Sequence, residues 1–241
     1  MKQLICEESF WELFPEAIIG VVVARDLIDG TEMPEEDREE LAAMLAKANR
    51  QAERFLTSEV ISENAPVRIW REAYRRFKTK RGVRSAFENL LKRVLKGRPV
   101  GSISPSVDLC NAVSLSYAFP IGGFDLDRIE GDYLLKVTEG GDSFLPIGEE
   151  ENDPTLPGEL AYVDEAGATS RCWNWRDCQR TELGDATKNV VIIFECIEPD
   201  RADDAKEAVR VLAERLKRHF KAQIVLEDLI TTDQRSVVLE P

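Results

Sequence analysis

Histidine is the scarcest chemically useful residue of this chain, because His219 is the one histidine among 241 residues. Serine and cysteine hydrolases use a histidine as the base that activates their nucleophile. The single histidine lies at the edge of an apolar stripe on a predicted helix, which favours a surface or packing role for it. The scarcity therefore argues against a Ser-His-Asp or Cys-His enzyme.

Cysteine is also sparse and irregularly spaced. The five cysteines are an odd number without the spacing of a zinc site: Cys6, Cys110, Cys172, Cys178 and Cys196. Carboxylates alone would suit only magnesium or calcium. We therefore expect reduced thiols, no metal and no cofactor. No base stands near Cys172 or Cys178 in the sequence, which disfavours either as a nucleophile.

Long apolar segments are missing as well. The longest apolar run, Ala17 to Ala24, is much shorter than the ~20 residues of a membrane span. The first residues include Glu7, Glu8 and Glu12 rather than the basic region of a signal peptide. These features predict a soluble globular protein in the cytoplasm, with no membrane partner.

The charge is strongly negative but unevenly distributed. The net charge is -13, yet residues 68–98 contain twelve Lys and Arg against two Glu, a local excess of +10 that leaves -23 for the rest. A charge-rich helix is often only a solvated face. A basic stretch in an acidic protein also suits a phosphate-bearing partner such as RNA. The predicted RNA-binding residues are those of this stretch around Gly82: Arg75, Arg76, Lys78, Lys80, Arg81 and Arg84.

Hydrophobic periodicity predicts an α+β protein. The helices are expected at 34–56, 65–77, 85–96, 107–119 and 201–221. The strands are expected at 18–24, 132–138, 159–163, 169–175, 189–197, 223–229 and 237–239. Residues 148–158 form an acidic loop, read either as a flap over a pocket or as an ordinary surface loop. The sequence has no repeat and no linker, so we predict a single domain over residues 1–241.

The helix predicted at 107–119 is apolar on most of its circumference, which indicates that it is buried. Three polar residues on it, Asp108, Asn111 and Ser114, follow an i, i+3 spacing and therefore lie side by side. Buried polar groups need hydrogen-bond partners. These residues either tie the following Pro-Ile-Gly-Gly segment to the helix or line a pocket.

Four ordered segments carry a family resemblance: Val-Asp-Leu-x-Asn-Ala-Val from 107, Pro-Ile-Gly-Gly-Phe-Asp-Leu-Asp from 120, Gly-Glu-Leu-x-x-x-Asp-Glu from 158 and Thr-Lys-Asn-Val-Val from 187. In this order and spacing they resemble the B3/B4 domain of the phenylalanyl-tRNA synthetase beta chain. The resemblance covers residues 65–198 and implies mixed sheets with helices packed around them. It also divides the domain into a core at 65–198, an N-terminal strand and helix extension at 1–64, and a C-terminal β-α-β extension at 199–241.

The resemblance implies an editing function, because the synthetase domain hydrolyses tyrosine wrongly esterified to tRNA. No synthetase catalytic segment accompanies the domain here, so the chain resembles its free-standing form. Two departures stand out. Gly122 replaces a family histidine, and residues 172–178 replace a glycine-rich segment. We therefore predict a metal-independent deacylase that acts in trans on mischarged aminoacyl-tRNA.

An aminoacyl ester is already activated, so its hydrolysis needs mainly positioning, an ordered water and donors to the oxyanion. Asp125 is the first candidate to order water or bind the ammonium group, Asp108 is the second, and Asp177 is assigned to the same work. The backbone of Gly122 and Gly123 is the candidate oxyanion donor, with a tight turn as the alternative interpretation.

The predicted strand around 171–178 alternates aromatic and polar residues. Its tryptophans, Trp173 and Trp175, are read either as core residues or as a stacking surface for the ligand. Asn174, Arg176 and Asp177 are costly to bury without a role, so we predict that they line the pocket.

Two other functions fit the same fold. One is a non-catalytic tRNA-binding or RNA-binding module that lost the chemistry with the histidine, and the other is an amino-acid-binding protein. The uneven charge favours RNA over a free amino acid. The sequence indicates neither the amino acid, nor the tRNA, nor the oligomeric state.

Overall fold

Two β-sheets face each other in the structure, a computed structural model that describes residues 1–240. The strands are β1 Lys2–Cys6, β2 Ile18–Arg25, β3 Ile121–Asp125, β4 Tyr133–Val137, β5 Leu160–Asp164, β6 Gly167–Arg171, β7 Arg176–Asp177, β8 Val190–Cys196, β9 Gln223–Ile230 and β10 Ser236–Glu240. The helices are α1 Glu8–Trp11, α2 Glu35–Ala52, α3 Ala65–Ala73, α4 Ala86–Leu95, α5 Pro105–Tyr117 and α6 Ala202–His219.

The four-stranded sheet is antiparallel, in the order β3-β8-β2-β9. Its central strands β2 and β8 are apolar and β-branched, and all residues of β8 are buried. Strands of this composition are stable when both faces are covered. One face packs against α6 through residues such as Leu212 and Leu216. The opposite face packs against the second sheet, where Ile193 shares a cluster with Tyr133 and Tyr162.

The second sheet has six strands in the order β10-β1-β4-β5-β6-β7. The sheet is mixed, because β1 and β4 are parallel whereas all its other neighbouring strands are antiparallel. β1 and β10 bring residues from both ends of the described chain into one sheet. The sheet ends at the short strand β7, whose edge lies near β3 of the other sheet.

The α+β class with mixed sheets is confirmed, and the predicted helices and most strands occur within a few residues of their expected positions. One local prediction was wrong, because the strand expected at 169–175 ends at Arg171 and is followed by a turn. The tight turn, which was the alternative interpretation of the Pro-Ile-Gly-Gly segment, does not occur either, because the segment enters strand β3. Strand β1 was not predicted from the sequence. The division into 1–64, 65–198 and 199–241 stays a prediction.

Helix α5 is buried as predicted and is tied to the segment that follows it. It ends at Ala118, which adopts a left-handed conformation with φ of 52°. The Ser114 hydroxyl donates a hydrogen bond to the carbonyl oxygen of Phe119 at 2.7 Å. This bond directs the chain out of the helix into β3, so the bracing interpretation of Ser114 is confirmed.

The contact between β2 and β8 generates a stability prediction. Gly20 lies opposite Phe194, and a Cβ at Gly20 would stand 2.1 Å from two ring carbons of Phe194. That ring is fully buried and stacked on Phe119, with centroids 5.4 Å apart. We expect Gly20→Ala to lower the free energy of unfolding by about 1–3 kcal/mol in urea titrations.

Gly184→Ala is the matched control, because nothing lies within 4 Å of a Cβ there and its φ is not positive. It should change the free energy of unfolding by less than about 0.5 kcal/mol. Equal effects of the two substitutions would mean that the Phe194 ring is not held in place.

Candidate active site

A pocket opens between the two sheets, where the β3 and β7 edges approach each other. Helices α4 and α5 form the remaining walls. Its apolar lining includes Phe87, Leu90, Phe124 and Ile193. The pocket combines apolar walls with a few convergent polar groups, which is typical of small-molecule sites.

A turn at residues 172–175 forms one wall, at the place where a continuous strand was expected. Cys172 and Trp173 have φ of 45° and 66°, a conformation that non-glycine residues seldom adopt. Three hydrogen bonds to the Glu159 carboxylate fix this geometry: from Cys172 N at 2.8 Å, from Arg171 Nε at 2.9 Å and from Arg171 Nη2 at 2.6 Å. The buried ion pair of Arg171 and Glu159 thus fixes the first residue of the turn.

Both members of this ion pair are fully buried. Burial alone would raise the pKa of Glu159, but the hydrogen bonds and charge of Arg171 outweigh it and lower the pKa. Glu159 is therefore ionised at neutral pH. Asp153 adds a second carboxylate, 2.9 Å from Arg171 Nη1.

Trp173 and Trp175 have different environments, contrary to the expectation that they share a strand face. Trp173 is fully buried and packs against Phe14 and Trp70, with ring centroids 4.6 and 4.8 Å away. Trp175 is half-buried. Both contribute to the pocket wall. Trp173 therefore belongs to the hydrophobic core and also lines the pocket, so neither interpretation of it excludes the other.

Glu195 of β8 lies in the pocket wall and was missed by the sequence analysis. Its Oε1 accepts a hydrogen bond from Tyr162 Oη at 2.8 Å, and its Oε2 accepts one from Asn174 Nδ2 at 3.2 Å. Burial raises the pKa of Glu195 to about 8, although both hydrogen bonds oppose the rise. The signal that could have revealed it is one acidic residue within the apolar run 190–196.

Asp177 is a second carboxyl group in the same wall. Burial raises its pKa to about 6. It pairs with Ser170 across β6 and β7, and Ser170 pairs with Tyr162 in turn, so these three residues form a row that faces Glu195. Two carboxyl groups with raised but different pKa values are typical of acid–base sites.

Most of the predicted pocket residues do line the pocket: Asn111, Ser114, Gly122, Trp173, Asn174, Trp175, Arg176 and Asp177. Gly122 lies in the regular part of β3, opposite Ile193. A Cβ at Gly122 would stand 2.9 Å from the ring of Phe124, so this ring occupies the space beside the glycine. Gly123 is not part of the wall and faces Leu183.

The two carboxylates first chosen from the sequence lie outside the pocket lining. Asp125 accepts hydrogen bonds from Asp127 N at 3.1 Å and Thr187 Oγ1 at 3.3 Å. Asp108 accepts hydrogen bonds from Ser102 Oγ and from Ile103 N, the latter at 2.8 Å. Both side chains therefore brace local backbone, and the structure gives neither a place beside the ligand space.

The predicted RNA-binding residues lie on the segment 74–86, which forms hydrogen bonds with the 172–175 turn at both of its ends. We call this segment the clasp. Tyr74 Oη donates to Asn174 Oδ1 at 3.0 Å, and Ala86 N donates to the Asn174 carbonyl oxygen at 2.9 Å. The exposed basic side chains of this clasp are Arg75, Arg76, Lys78, Arg81 and Arg84. Lys80 is half-buried and forms an ion pair with Asp153. The basic surface is thus attached directly to the pocket wall.

Other potential functional groups do not assemble into a site. Within residues 1–240, no group of three or more His, Cys, Asp or Glu side chains is arranged to hold a metal ion. His219 is buried and its Nδ1 lies 2.8 Å from Asp37 Oδ1, which is a packing role. The Cys172 thiol has its pKa raised to about 12 by burial and is a poor nucleophile. Among the same residues, no helix is long and apolar enough to cross a membrane.

Comparison with known proteins shows that this chain belongs to a family. The model of the B3/4 domain matches residues 69–231. The phenylalanine–tRNA ligase beta subunit of Leifsonia xyli is 29% identical over 98 residues, which is 41% of this chain and 11% of the relative. The same subunit of Neisseria gonorrhoeae is 26% identical over 117 residues, or 48% of this chain and 15% of the relative. The matched part is therefore a small share of these relatives.

A solved structure is also similar, an N-terminal fragment of the phenylalanyl-tRNA synthetase beta-subunit from Pyrococcus horikoshii. It aligns over 94% of this chain and 53% of that chain, with a TM-score of 0.48 and 14% identity. The family match confirms the resemblance carried by the four sequence segments.

The buried ion pair beneath the turn yields a prediction. Glu159→Gln leaves the charge of Arg171 poorly compensated in the interior, and we expect it to lower the free energy of unfolding by about 3–5 kcal/mol in denaturant titrations. The exposed pair between Glu149 and Arg176 provides the control, because Glu149→Gln should cost less than about 1 kcal/mol. Equally small losses for the two variants would show that Glu159 does not hold the turn.

Proposed function

The chain belongs to the B3/4 domain family, and on this premise we propose that it is an aminoacyl-tRNA deacylase that hydrolyses the ester of a mischarged tRNA in trans. The observation that carries the proposal is the pocket with two carboxyl groups, Asp177 and Glu195, together with the clasp, a segment with exposed basic side chains that is hydrogen-bonded to the 172–175 turn of the pocket wall. Such a site can receive the amino acid while the basic surface holds the RNA. A cytoplasmic location, where charged tRNA is found, completes the proposal.

Asp177 is the proposed general base. Its pKa of about 6 leaves it ionised at neutral pH and basic enough to accept a proton. Water attacks the ester carbonyl carbon while its proton passes to Asp177. The bond from that carbon to the ribose oxygen then breaks, and the ribose oxygen takes up a proton. The products are the free amino acid and the uncharged tRNA.

The oxyanion needs a donor, and Asn111 is the proposed one. Its side chain is half-buried on α5 and lines the pocket opposite the turn. The backbone of Gly122 and Gly123, the first candidate, belongs to a strand that is paired with β8. Removing a single oxyanion donor typically costs about 10²–10³-fold in turnover.

The clasp explains why a tRNA ester is proposed instead of a free amino acid. Five cationic side chains are exposed on a segment that is hydrogen-bonded to the wall of an acidic pocket. An acidic protein attracts a polyanion only where positive charge is concentrated. The same surface would serve an RNA-binding module without hydrolytic activity, so turnover has to distinguish the two.

The first functional prediction concerns hydrolysis. Purified protein should deacylate at least one member of a broad panel of charged tRNAs, and the activity should persist in EDTA once folded tRNA is supplied. The rate should increase about tenfold per pH unit up to about pH 6 and then level off, since the base has to be ionised.

Asp177→Asn should reduce turnover by about 10²-fold or more with little change in melting temperature. Asp125→Asn is the control, because Asp125 is absent from the pocket wall and should retain turnover per folded molecule. If no charged tRNA is deacylated above the uncatalysed rate, the protein is the RNA-binding module.

The second functional prediction concerns the clasp. Replacing Arg75, Arg76, Lys78 and Arg81 together by Gln should weaken tRNA binding and flatten its dependence on salt, by about one unit of slope for each lost phosphate contact. The control replaces Lys206 and Lys217 on α6, at a distance in sequence from the clasp. An unchanged slope in the fourfold variant would show that the basic side chains only solvate the surface.

A further inference from the structure

Four cationic side chains at the end of helix α4 have no carboxylate partner, and we call them the α4 patch. They are Lys92, Arg93, Lys96 and Arg98, and all four are exposed. Among residues 1–240 none of them forms an ion pair, and Arg93 donates only to the Pro99 carbonyl oxygen, at 3.4 Å. The exposed cations of α6 are instead paired: Lys206 with Asp203, Arg210 with Glu207 and Arg218 with Glu40.

The local sequence explains why these pairs are missing. Glu88 is the one acidic residue between Ala73 and Val107. Its carboxylate is buried and paired with Arg71 at 2.6 Å. The exposed side chains around the end of α4 therefore carry positive charge alone, in a protein with a net charge of -13. Concentrated positive charge of this kind attracts a polyanion.

The helix dipole accounts for only part of the α4 patch. Lys92 and Arg93 lie in the last turn of α4, where positive charge interacts favourably with the free carbonyl groups. This effect fades beyond the last turn. Lys96 and Arg98 follow the helix, and Gly97 between them adopts a φ of 64° that ends it. These two cations therefore do not stabilise α4.

Helix α4 connects the α4 patch to the pocket. Its first residues line the pocket through Ala86, Phe87 and Leu90. The helix has 10 residues and is therefore about 15 Å long at ~1.5 Å per residue. The hydrogen bond from Ala86 N to the Asn174 carbonyl oxygen, at 2.9 Å, fixes its first residue against the pocket wall. The α4 patch consequently stands one helix length from the pocket.

This spacing matches a short stretch of an RNA strand. Successive nucleotides of a stacked strand advance ~3.4 Å, so a distance of about 15 Å corresponds to about four nucleotides. A stacking surface for bases needs aromatic side chains, and the sequence has none between Phe87 and Tyr117. The α4 patch therefore suits phosphate contacts, which carry no sequence information.

We propose that the α4 patch binds phosphates of a tRNA 3′ strand about four nucleotides from the esterified end, so that the strand enters the pocket along α4. This inference rests on the proposed function, because it takes the aminoacyl end to lie in the pocket. It assigns a second RNA contact, separate in sequence from the clasp. A single aminoacylated nucleotide then binds weakly, and the affinity grows with the length of the strand.

The test measures the Kd of a series of ligands that differ in length. Each ligand ends in 3′-tyrosylamido-3′-deoxyadenosine, whose amide resists cleavage, and the series extends the tRNA 3′ strand from one nucleotide to about eight. We expect the affinity of the wild type to increase about tenfold or more with length, mainly between about three and six nucleotides. The gain should decrease as salt is added, because it comes from phosphate contacts.

Three variants locate the contact. The patch variant replaces all four residues of the α4 patch by Gln. It should bind the single nucleotide like the wild type, and its salt slope for the longest ligand should decrease by about 0.7 unit for each lost phosphate contact. The double variant Lys96→Gln and Arg98→Gln leaves α4 itself unchanged and should lose part of the gain with length. The control replaces four exposed cations of α6 by Gln and should retain the gain: Lys206, Arg210, Lys217 and Arg218.

The control variant removes the same charge from the face of the four-stranded sheet that is turned away from the pocket. Equal losses in the patch and control variants would show an effect of net charge alone and overturn the inference. An affinity that does not increase with length, or a gain that survives in the patch variant, also overturns it. A gain that the patch variant loses, without hydrolysis of any charged tRNA, supports the inference and overturns the proposed hydrolysis alone.

Discussion

The buried ion pair between Arg171 and Glu159 is the interaction on which the pocket depends. It occupies the end of β6, at the place where the chain turns instead of continuing as a strand. The Glu159 carboxylate also accepts the backbone N–H of Cys172, the first residue of the turn in the left-handed region. Strained backbone of this kind persists only where its surroundings fix it, and it is often found at functional sites.

The same ion pair connects the interior to the basic surface. Asp153 lies between Arg171 and Lys80, and Lys78 N donates to the Gly158 carbonyl oxygen at 2.9 Å. On the other side of the turn, Tyr74 and Ala86 donate to Asn174. The exposed basic segment is therefore joined to the pocket wall by short chains of hydrogen bonds. In this arrangement, the surface proposed to hold RNA also supports the turn that shapes the site.

The sequence predicted the fold class because the strands β2 and β8 and the helices α2 and α6 have clear periodicity or long apolar runs. Most of the residues that it assigned to the pocket do line it, since costly polar groups such as Asn174 and Asp177 lie among tryptophans. It did not predict the turn, because Cys172 and Trp173 give no local signal for a positive φ. That conformation results from tertiary hydrogen bonds to Glu159, thirteen residues away in sequence.

The sequence could not rank the carboxylates by their distance from the pocket, for a related reason. Asp125 and Asp177 look alike in sequence, but one caps a turn at the surface while the other faces Glu195 across the gap between the sheets. The central claim is that this gap receives the aminoacyl end of tRNA. A crystal structure with a 3′-tyrosylamido-3′-deoxyadenosine bound tests it most directly. The expected result is a ligand between α5 and the 172–175 turn, with its amide carbonyl group beside Asp177, whereas a ligand seated outside this gap would contradict the claim.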